Sequence, residues 1–513
     1  MQPSQKVAFN TIILYIRAFV TIGITLYTTR LVLEVLGVED FGLYNLISGV
    51  IGLLSILNVA MSVSSQRYLS YYQGKNDINK QKSIFVASLV LHLVIAILFL
   101  MVLQVAGLFL FDGFLNIASE RIGASRISYQ MMLVSVIFSI LSVPFTASIN
   151  AHEQMGVMAL VNILEAVLRL ASAFTLILLS TGDRLVWFSM FNALVGGASF
   201  ILYAIYCLAK YPECTLRLRK LVTKKDIREL SGFAGWNLMG SLCGMGRAQG
   251  ISLLLNLFLG VTLNAAYAIA CQLGNYVSFF SATILQTFNP QIMKSEGSGD
   301  RGRMLRLAMT TSKMAFFLFA FLAIPCIFEM KGILTFWLKE IPSYTLVFSI
   351  LLITGTLVNQ LTVGLQSAIQ ATGNIKIYQL VIGSTILLNL PIAWFLLKNG
   401  YSPYWIFIAY VLIEGIACSM RLYFMRIQAG LSIREYVRKV FAREIIPVLV
   451  CIVVCVLVTT QVEMNYRFLL TFTLSVPVFA LTAYFFGLCV PERVMINQIV
   501  ESAFNKFKKQ SFK

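Results

Sequence analysis

Long apolar segments follow one another along almost the whole chain, and short polar segments between them hold most of the charged residues. Runs of about 18 or more apolar residues recur, and a helix of that length crosses the roughly 30 Å hydrocarbon core of a bilayer. The short alternating segments that are typical of membrane β-strands are missing from this pattern. The pattern therefore predicts an all-α, polytopic membrane protein.

We predict fourteen transmembrane helices, with ends placed to within a few residues. Their bounds are about 8–31, 42–63, 83–111, 127–150, 157–180, 185–209, 231–258, 263–286, 306–330, 344–371, 376–397, 401–426, 444–461 and 467–489. The predicted parts of the chain are an N-terminal six-helix lobe (1–209), a basic cytoplasmic linker (210–230), a C-terminal six-helix lobe (231–427), helices thirteen and fourteen (444–489) and a basic cytoplasmic tail (490–513).

The basic residues are distributed unevenly between the two sides of this arrangement. With the N-terminus inside, the inner side collects 28 of the 40, seven of them from the segment Lys210–Arg228. The outer side holds eight: Arg30, Arg121, Arg126, Arg184, Lys331, Lys339, Lys398 and Arg467. Because cytoplasmic loops carry the excess of Lys and Arg, we expect both termini in the cytoplasm.

Composition agrees with a membrane protein, since 58% of the 513 residues are hydrophobic and only 12% are charged. We interpret the net charge of +18 as topology plus contact with anionic lipid headgroups, and expect no nucleic-acid partner. The nine cysteines have no zinc or redox spacing, and the two histidines, His92 and His152, offer no His-rich metal or haem site. The opening MQPSQK carries no cleavable signal pattern, so we expect the first segment to be retained.

Three short matches indicate an internal repeat. LGVEDFGLY (36–44) recurs as LGVTLNAAY (259–267), and QGKND (73–77) corresponds to EGSGD (296–300), both at an offset of 223 residues. INAHEQ (149–154) matches IQATGN (369–374) at an offset of 220. Convergent loop chemistry is the alternative. Repeats of six helices predict two lobes related by an axis along the membrane normal, with a substrate site near the midplane.

The chain resembles a known family in the opening K-x-x-x-N, the internal Arg17, the segment TTRLVLEVLGVEDFGLYNLISG (28–49) and IQATGNIKIYQL (369–380). These segments are similar to those of bacterial polysaccharide flippases of the O-antigen and capsule type. Those flippases belong to the multidrug/oligosaccharidyl-lipid/polysaccharide exporter superfamily. The resemblance implies a V-shaped pair of bundles in the bacterial inner membrane.

The resemblance also implies what such a protein carries and meets. The implied substrate is undecaprenyl-pyrophosphate-linked oligosaccharide, moved from the inner to the outer leaflet for surface polysaccharide biosynthesis. Membrane lipids and the glycan polymerase machinery are the implied partners. We expect no cofactor, although coupling to Na⁺ or H⁺ stays open.

Charged residues within the spans are the candidate site, because a charge in lipid is costly and usually faces a cavity or a partner. Arg17 shares one helical face with Asn10, Thr21 and Thr28, and we expect it to contact substrate together with Arg247 of the seventh helix. Arginine suits bidentate contact with phosphate.

Four further in-span charges have two interpretations each. Glu165 and Arg169 are spaced to pair, either as a structural ion pair or toward substrate. Lys313 either lines the cavity or snorkels to the interface. Glu414 is a candidate site for a coupling cation, or else a packing partner. We interpret Lys313 and Glu414 as single charges.

Two rival functions follow from the same sequence. A cation-coupled multidrug antiporter of the same superfamily needs an acidic cavity, whereas the four in-span cations outnumber Glu165 and Glu414. An enzyme such as a polysaccharide polymerase or acyltransferase needs sizeable catalytic loops or a membrane histidine in a site. We therefore expect a transporter rather than an enzyme.

Overall fold

The computed structural model describes residues 3–52, 55–111, 117–179, 182–216, 223–338, 340–490, 492–494 and 497, and the ordered elements among these residues are helices. The helices are α1 (Pro3–Gly52), α2 (Ser55–Gly74), α3 (Ile78–Phe109), α4 (Ile122–Ala151), α5 (Met155–Leu178), α6 (Arg184–Lys210), α7 (Lys224–Leu259), α8 (Val261–Gly297), α9 (Arg301–Phe328), α10 (Met330–Trp337), α11 (Thr345–Gln360), α12 (Val363–Thr372), α13 (Lys376–Leu387), α14 (Asn389–Lys398), α15 (Tyr404–Ala429), α16 (Ile433–Tyr436), α17 (Ala442–Gln461) and α18 (Arg467–Thr482). A 3₁₀ turn precedes α4, and π-helical turns follow α16 and α18.

The described helices confirm an all-α, multi-pass membrane protein. Twelve helical segments, some of which join two consecutive helices such as α13 and α14, are long and apolar enough to cross a bilayer. The pair α11 and α12, bent by 46°, makes a thirteenth. Apolar side chains cover their outer surfaces, as at Leu26 with 70% of its area exposed. A surface of this kind fits lipid rather than water.

The predicted count of fourteen spans is not confirmed, and the difference lies at the second predicted helix, 42–63. In the structure this stretch falls partly at the end of α1 and partly in α2. The sequence of α2, SILNVAMSVSSQRYLSYYQG, is rich in serine and other polar residues, so its hydropathy is low. Its polar side chains are satisfied by neighbouring helices: Ser64 donates to the carbonyl of Leu230 at 2.9 Å, and Ser65 bonds Ser88 at 2.7 Å.

The internal repeat is visible in the backbone. Gly37 (φ 79°, ψ 169°) kinks α1, and Gly260 (φ 82°, ψ −175°) separates α7 from α8, at the predicted offset of 223 residues. Both glycines occupy a conformation that a residue with a Cβ atom adopts only under strain. The match LGVEDFGLY and LGVTLNAAY therefore encodes the same break between the first two helices of each repeat.

The other two matches also keep their backbone geometry. Asn76 (φ 56°) corresponds to Gly299 (φ 81°), and Glu153 (φ 56°) to Gly373 (φ 82°), so each pair has a left-handed residue at the same turn. The residues that follow the first pair, Asp77 and Asp300, both cap the next helix by accepting a hydrogen bond from the backbone N–H three residues later. These shared features support duplication over convergent loop chemistry.

The chain forms two compact units by its internal contacts. The first unit is Asn10–Leu238, and the second is Met239–Lys513 together with Met1–Phe9. The boundary lies within α7, whose first turns are fixed inside the first unit by the buried Asp226. This carboxylate accepts hydrogen bonds from Lys80, from Ser83 and, at 2.7 Å, from Thr223.

Some charged segments of the predicted topology lie outside the described residues. They include Arg217, Arg219 and Lys220 of the predicted linker, Lys339 of an outer loop, and most of the predicted tail 490–513. The assignment of both termini to the cytoplasm stays a prediction.

We predict that Gly37→Ala and Gly260→Ala each destabilise the protein by about 1–3 kcal/mol, because a Cβ atom strains this backbone conformation. The matched controls are Gly42→Ala and Gly232→Ala, at helical glycines where an added methyl group would meet no atom within 4 Å. Alanine there should be neutral or stabilising. Thermal unfolding of the detergent-purified protein measures the stability of the four variants. Equal melting temperatures for all four would contradict the prediction.

Candidate substrate cavities and in-span charges

The second unit contains a cavity of about 580 Å³ between α7, α8, α11 and α15. Its lining combines one charged side chain, Arg247, with small and polar groups and two tyrosines, Tyr267 and Tyr410. The small residues of α7, such as Gly244, leave the space open. A cavity of this size lies within the range of small-ligand sites in proteins.

Two side chains hold Arg247 in this cavity, and a third holds its carboxylate partner. Its guanidinium donates to Glu414 of α15 at 2.7 Å and lies 4.4 Å from the ring centre of Tyr410. Asn359 of α11 donates to the second oxygen of Glu414, also at 2.7 Å. Glu414 is 2% exposed and Arg247 13% exposed, so the pair is almost fully removed from solvent. An ion pair in such surroundings needs these additional hydrogen bonds to be favourable.

Two neighbouring cavities lie in the first unit, with volumes of about 250 and 210 Å³. They share the lining residues Tyr44, Arg169 and Asn192. Arg169 donates to Glu165, one helical turn away, at 2.8 Å, which confirms the pairing expected from their spacing. The pair is partly exposed, at 46% for Arg169 and 28% for Glu165, so its contribution to stability is small.

Of the four in-span cations named from the sequence, Arg17 is the one that pairs with no carboxylate of the described chain. It is half-buried in α1, and the electrostatic neighbour of its guanidinium is Tyr203 of α6. The hydroxyl of Tyr203 donates in turn to Asn162 at 3.0 Å. The site around Arg17 therefore consists of a cation, a phenol and an amide.

The other members of the predicted α1 stripe are used within the first unit. Asn10 is buried and donates to the backbone carbonyl of Glu153 at 2.9 Å, which ties the start of α1 to the turn between α4 and α5. The hydroxyl of Thr21 donates to the carbonyl of Arg17 at 2.8 Å. Thr28 lines the smaller cavity of this unit.

Lys313 and Glu414 are not single charges, so this expectation from the sequence was wrong. Lys313 is 2% exposed, which rules out snorkelling, and its ammonium donates to Glu492 at 2.6 Å. It does not line the cavities described above. Helical periodicity indicates which face of a helix holds a charge, but the partners in both pairs come from distant parts of the chain. Asn359 and Tyr410, which no pattern in the sequence singles out, complete the Arg247 site.

Comparison with known proteins identifies the family. A family model described as "Polysaccharide biosynthesis protein" matches residues 5–296, which is more than half of the chain. The chain belongs to this family. It is also 23% identical over 337 residues to the uncharacterized membrane protein EpsK of Bacillus subtilis (strain 168). This match covers 65% of each chain, a little less than two thirds of the relative's length.

Solved structures show which fold this member of the polysaccharide biosynthesis family has. The chain superimposes on MATE in the bent conformation with a TM-score of 0.71 and 11% identity, over 84% of this chain and 98% of that one. An outward-facing multidrug resistance MATE family transporter of the MOP superfamily gives a TM-score of 0.69 at 13% identity, with the same coverage. A MOP superfamily transporter from Pyrococcus furiosus gives 0.70 at 11% identity, again with that coverage. The fold is therefore MATE-like.

We predict that Arg247→Met destabilises the protein by about 3–5 kcal/mol, because it leaves the buried Glu414 carboxylate without its cation. Arg169→Met is the matched control, since it breaks a partly exposed ion pair and should cost no more than about 1 kcal/mol. The double variant Arg247→Met/Glu414→Gln should recover much of the loss. Thermal unfolding measures all three, and a loss in Arg247→Met no larger than in Arg169→Met would contradict the prediction.

Proposed function

We propose that this protein moves polyprenyl-pyrophosphate-linked oligosaccharide from the inner to the outer leaflet of a bacterial inner membrane, by alternating access. The head group enters a cation-lined cavity while the polyprenyl chain stays in lipid. The substrate is needed for surface polysaccharide biosynthesis, so glycan polymerase machinery is the proposed partner on the receiving side.

Family and fold together point to a transporter. The family is named for polysaccharide biosynthesis, and the MATE-like fold is that of membrane transporters of the MOP superfamily. The structure of the Pyrococcus furiosus transporter is described in terms of a reverse polarity of its binding pocket that suggests a different function. Pockets of different polarity on this fold therefore have a precedent, and a cationic pocket suits an anionic head group.

Arg17 is the observation that carries the proposal. An arginine within a span is costly unless it meets an anion, a partner or water, and no carboxylate of the described residues compensates this one. Arginine forms bidentate hydrogen bonds with phosphate oxygens. A pyrophosphate beside Arg17 would supply the missing negative charge, and Tyr203 and Asn162 add polar groups for the rest of the head.

The Arg247 site suggests how an ion could be coupled to transport. Its guanidinium is already paired with Glu414 in this conformation. A pyrophosphate that binds Arg247 competes with Glu414, and the carboxylate released in this way can accept Na⁺ or H⁺. Moving negative charge out of a cell with a negative interior is also favourable, by about 2.3 kcal/mol per charge per 100 mV.

A multidrug antiporter is the alternative, because the MATE fold includes multidrug resistance transporters. Binding of an organic cation requires an uncompensated carboxylate in the cavity. Among the described residues, Glu165 and Glu414 are each paired with an arginine. The charges of these cavities therefore favour an anionic head group over an organic cation.

We predict that a short-chain polyprenyl pyrophosphate raises the melting temperature of the purified protein and that Arg17→Ala abolishes this effect. At a concentration of about 100 times Kd, a ligand stabilises by about 2.7 kcal/mol, which a thermal-shift assay detects. Arg30→Ala is the matched control, because it removes an exposed arginine from the same helix. Stabilisation by organic cations alone, unaffected at Arg17, would instead support the antiporter.

We further predict that Glu414→Gln tightens pyrophosphate binding about tenfold, because the amide no longer competes for the guanidinium of Arg247. Glu435→Gln is the control, since Glu435 is exposed and pairs with Lys439 outside the cavity. Equilibrium titration of the purified variants gives the affinities. Binding that is unchanged or weaker in Glu414→Gln would show that Glu414 and the pyrophosphate do not compete for Arg247.

A further inference from the structure

Glu444 is a buried carboxyl group to which no described residue donates a hydrogen bond. It lies in the first turn of α17, outside the cavities described above, and is 3% exposed. Neither of its oxygens has a hydrogen-bond partner among the described residues. A carboxylate in such surroundings normally accepts two or more hydrogen bonds, because an unpaired buried charge costs several kcal/mol.

One lysine lies close enough to compensate the charge of Glu444, but it is already paired with another carboxylate. The ammonium of Lys313 acts electrostatically on Glu444, yet it donates to Glu492 at 2.6 Å. Glu492 also accepts hydrogen bonds from the backbone N–H of Cys489 at 2.7 Å and from Thr310 at 3.1 Å. Glu492 therefore has its hydrogen bonds satisfied, and it is paired with the only cation that acts electrostatically on Glu444 in the described chain.

The other groups near Glu444 do not donate to it. Tyr436 and Cys418 are its remaining titratable neighbours, and the Tyr436 hydroxyl donates to the carbonyl of Leu361 at 2.7 Å. Arg421 of α15 donates to the hydroxyl of Thr362 at 3.3 Å. The helix α18 and the π-helical turn after it pack on α17 with apolar side chains in the shared core.

A bound proton compensates the charge of Glu444 better than a metal cation would. Na⁺ needs several oxygen ligands, and the Lys313 ammonium beside the site repels it. A proton neutralises the carboxyl group without further ligands. Two carboxyl groups that share one lysine are expected to ionise one at a time.

We propose that Glu444 is the proton-binding site of this protein, and that Lys313 alternates between Glu492 and Glu444 as the proton leaves and returns. In the conformation described here Glu444 is the neutral acid and Lys313 pairs with Glu492. In the alternate conformation the O–H bond of Glu444 breaks, the proton passes to water, and the Lys313 ammonium compensates the new carboxylate. Glu492, with 12% of its side chain already exposed, then gains solvent in place of the lysine.

The role of this site in transport rests on the proposed function, and it identifies the coupling ion as a proton. Glu414, the candidate from the sequence, accepts hydrogen bonds from Arg247 and Asn359 and is thus a satisfied carboxylate here. Glu444 thus replaces Glu414 as the site of the coupling ion, and Glu414 responds to substrate through its pairing with Arg247.

Infrared difference spectroscopy of the purified protein tests the protonation directly. At neutral pH the wild type should show the carbonyl band of a buried protonated carboxyl group, and Glu444→Gln should lack it. Glu435→Gln is the matched control, because Glu435 is an exposed residue of α16 that pairs with Lys439, and it should retain the band. A wild type without the band, or a band that persists in Glu444→Gln, would overturn the proposal.

Proteoliposomes that contain a fluorescent short-chain polyprenyl-pyrophosphate glycan test the coupling. With the wild-type protein, a gradient of one pH unit should enrich the glycan in one leaflet up to about tenfold over the other, if one proton moves per cycle. Glu444→Gln should keep exchange without a gradient but lose the enrichment, and Glu435→Gln should keep both. Enrichment that persists in Glu444→Gln would overturn the proton site and leave the proposed function intact. A wild type that exchanges no glycan would instead refute the proposed function, while the infrared result still decides the proton site.

Discussion

Compensation of charge inside membrane-spanning helices is the constraint on which this structure depends. A charged side chain in hydrocarbon is destabilising by several kcal/mol, so each one has to meet an opposite charge, water or a ligand. Four in-span cations are named from the sequence, and three of them pair with carboxylates: Arg169 within its own helix, Arg247 with Glu414 of α15, and Lys313 with Glu492, which follows the last of the helices described above. Arg17 has no carboxylate partner among the described residues. Glu444 is a buried carboxyl group that likewise has no hydrogen-bond donor among them. Arg421 of α15, which is 3% exposed, also forms no ion pair among the described residues, but it donates to the carbonyl of Asn359 and to the hydroxyl of Thr362. We propose Arg17 and Glu444 as the functional sites.

The two units share their turns but not their charges. The break at Gly37 recurs at Gly260, and the left-handed residues that end later helices recur at the same offsets. The duplicated backbone therefore sets where helices begin and end. The polar side chains have diverged: the first unit holds Arg17 without a carboxylate partner among the described residues, and the second holds the two separate ion pairs Arg247–Glu414 and Lys313–Glu492.

Sequence periodicity predicted what depends on local rules. The helical membrane fold and the pairing of Glu165 with Arg169 follow from spacing within one segment, and the repeat follows from short motifs that recur in the sequence. The pairs Arg247–Glu414 and Lys313–Glu492 could not be predicted, because their partners lie 167 and 179 residues apart. Glu444 was missed for another reason. It follows Arg443 near a predicted helix end, where a charged residue is expected to meet water, and only the packing of α9 and α17 shows that it is buried.

Transfer of a lipid-linked glycan across a bilayer tests the central claim most directly. The purified protein is reconstituted into vesicles with a fluorescent polyprenyl-pyrophosphate oligosaccharide, and a membrane-impermeant lectin or quencher reports the fraction of glycan on the outer leaflet over time. We expect rapid equilibration of the glycan between leaflets in vesicles that contain the protein, and its loss when Arg17 is replaced by alanine. Equilibration no faster than in protein-free vesicles, with the protein shown to be folded, would contradict the account.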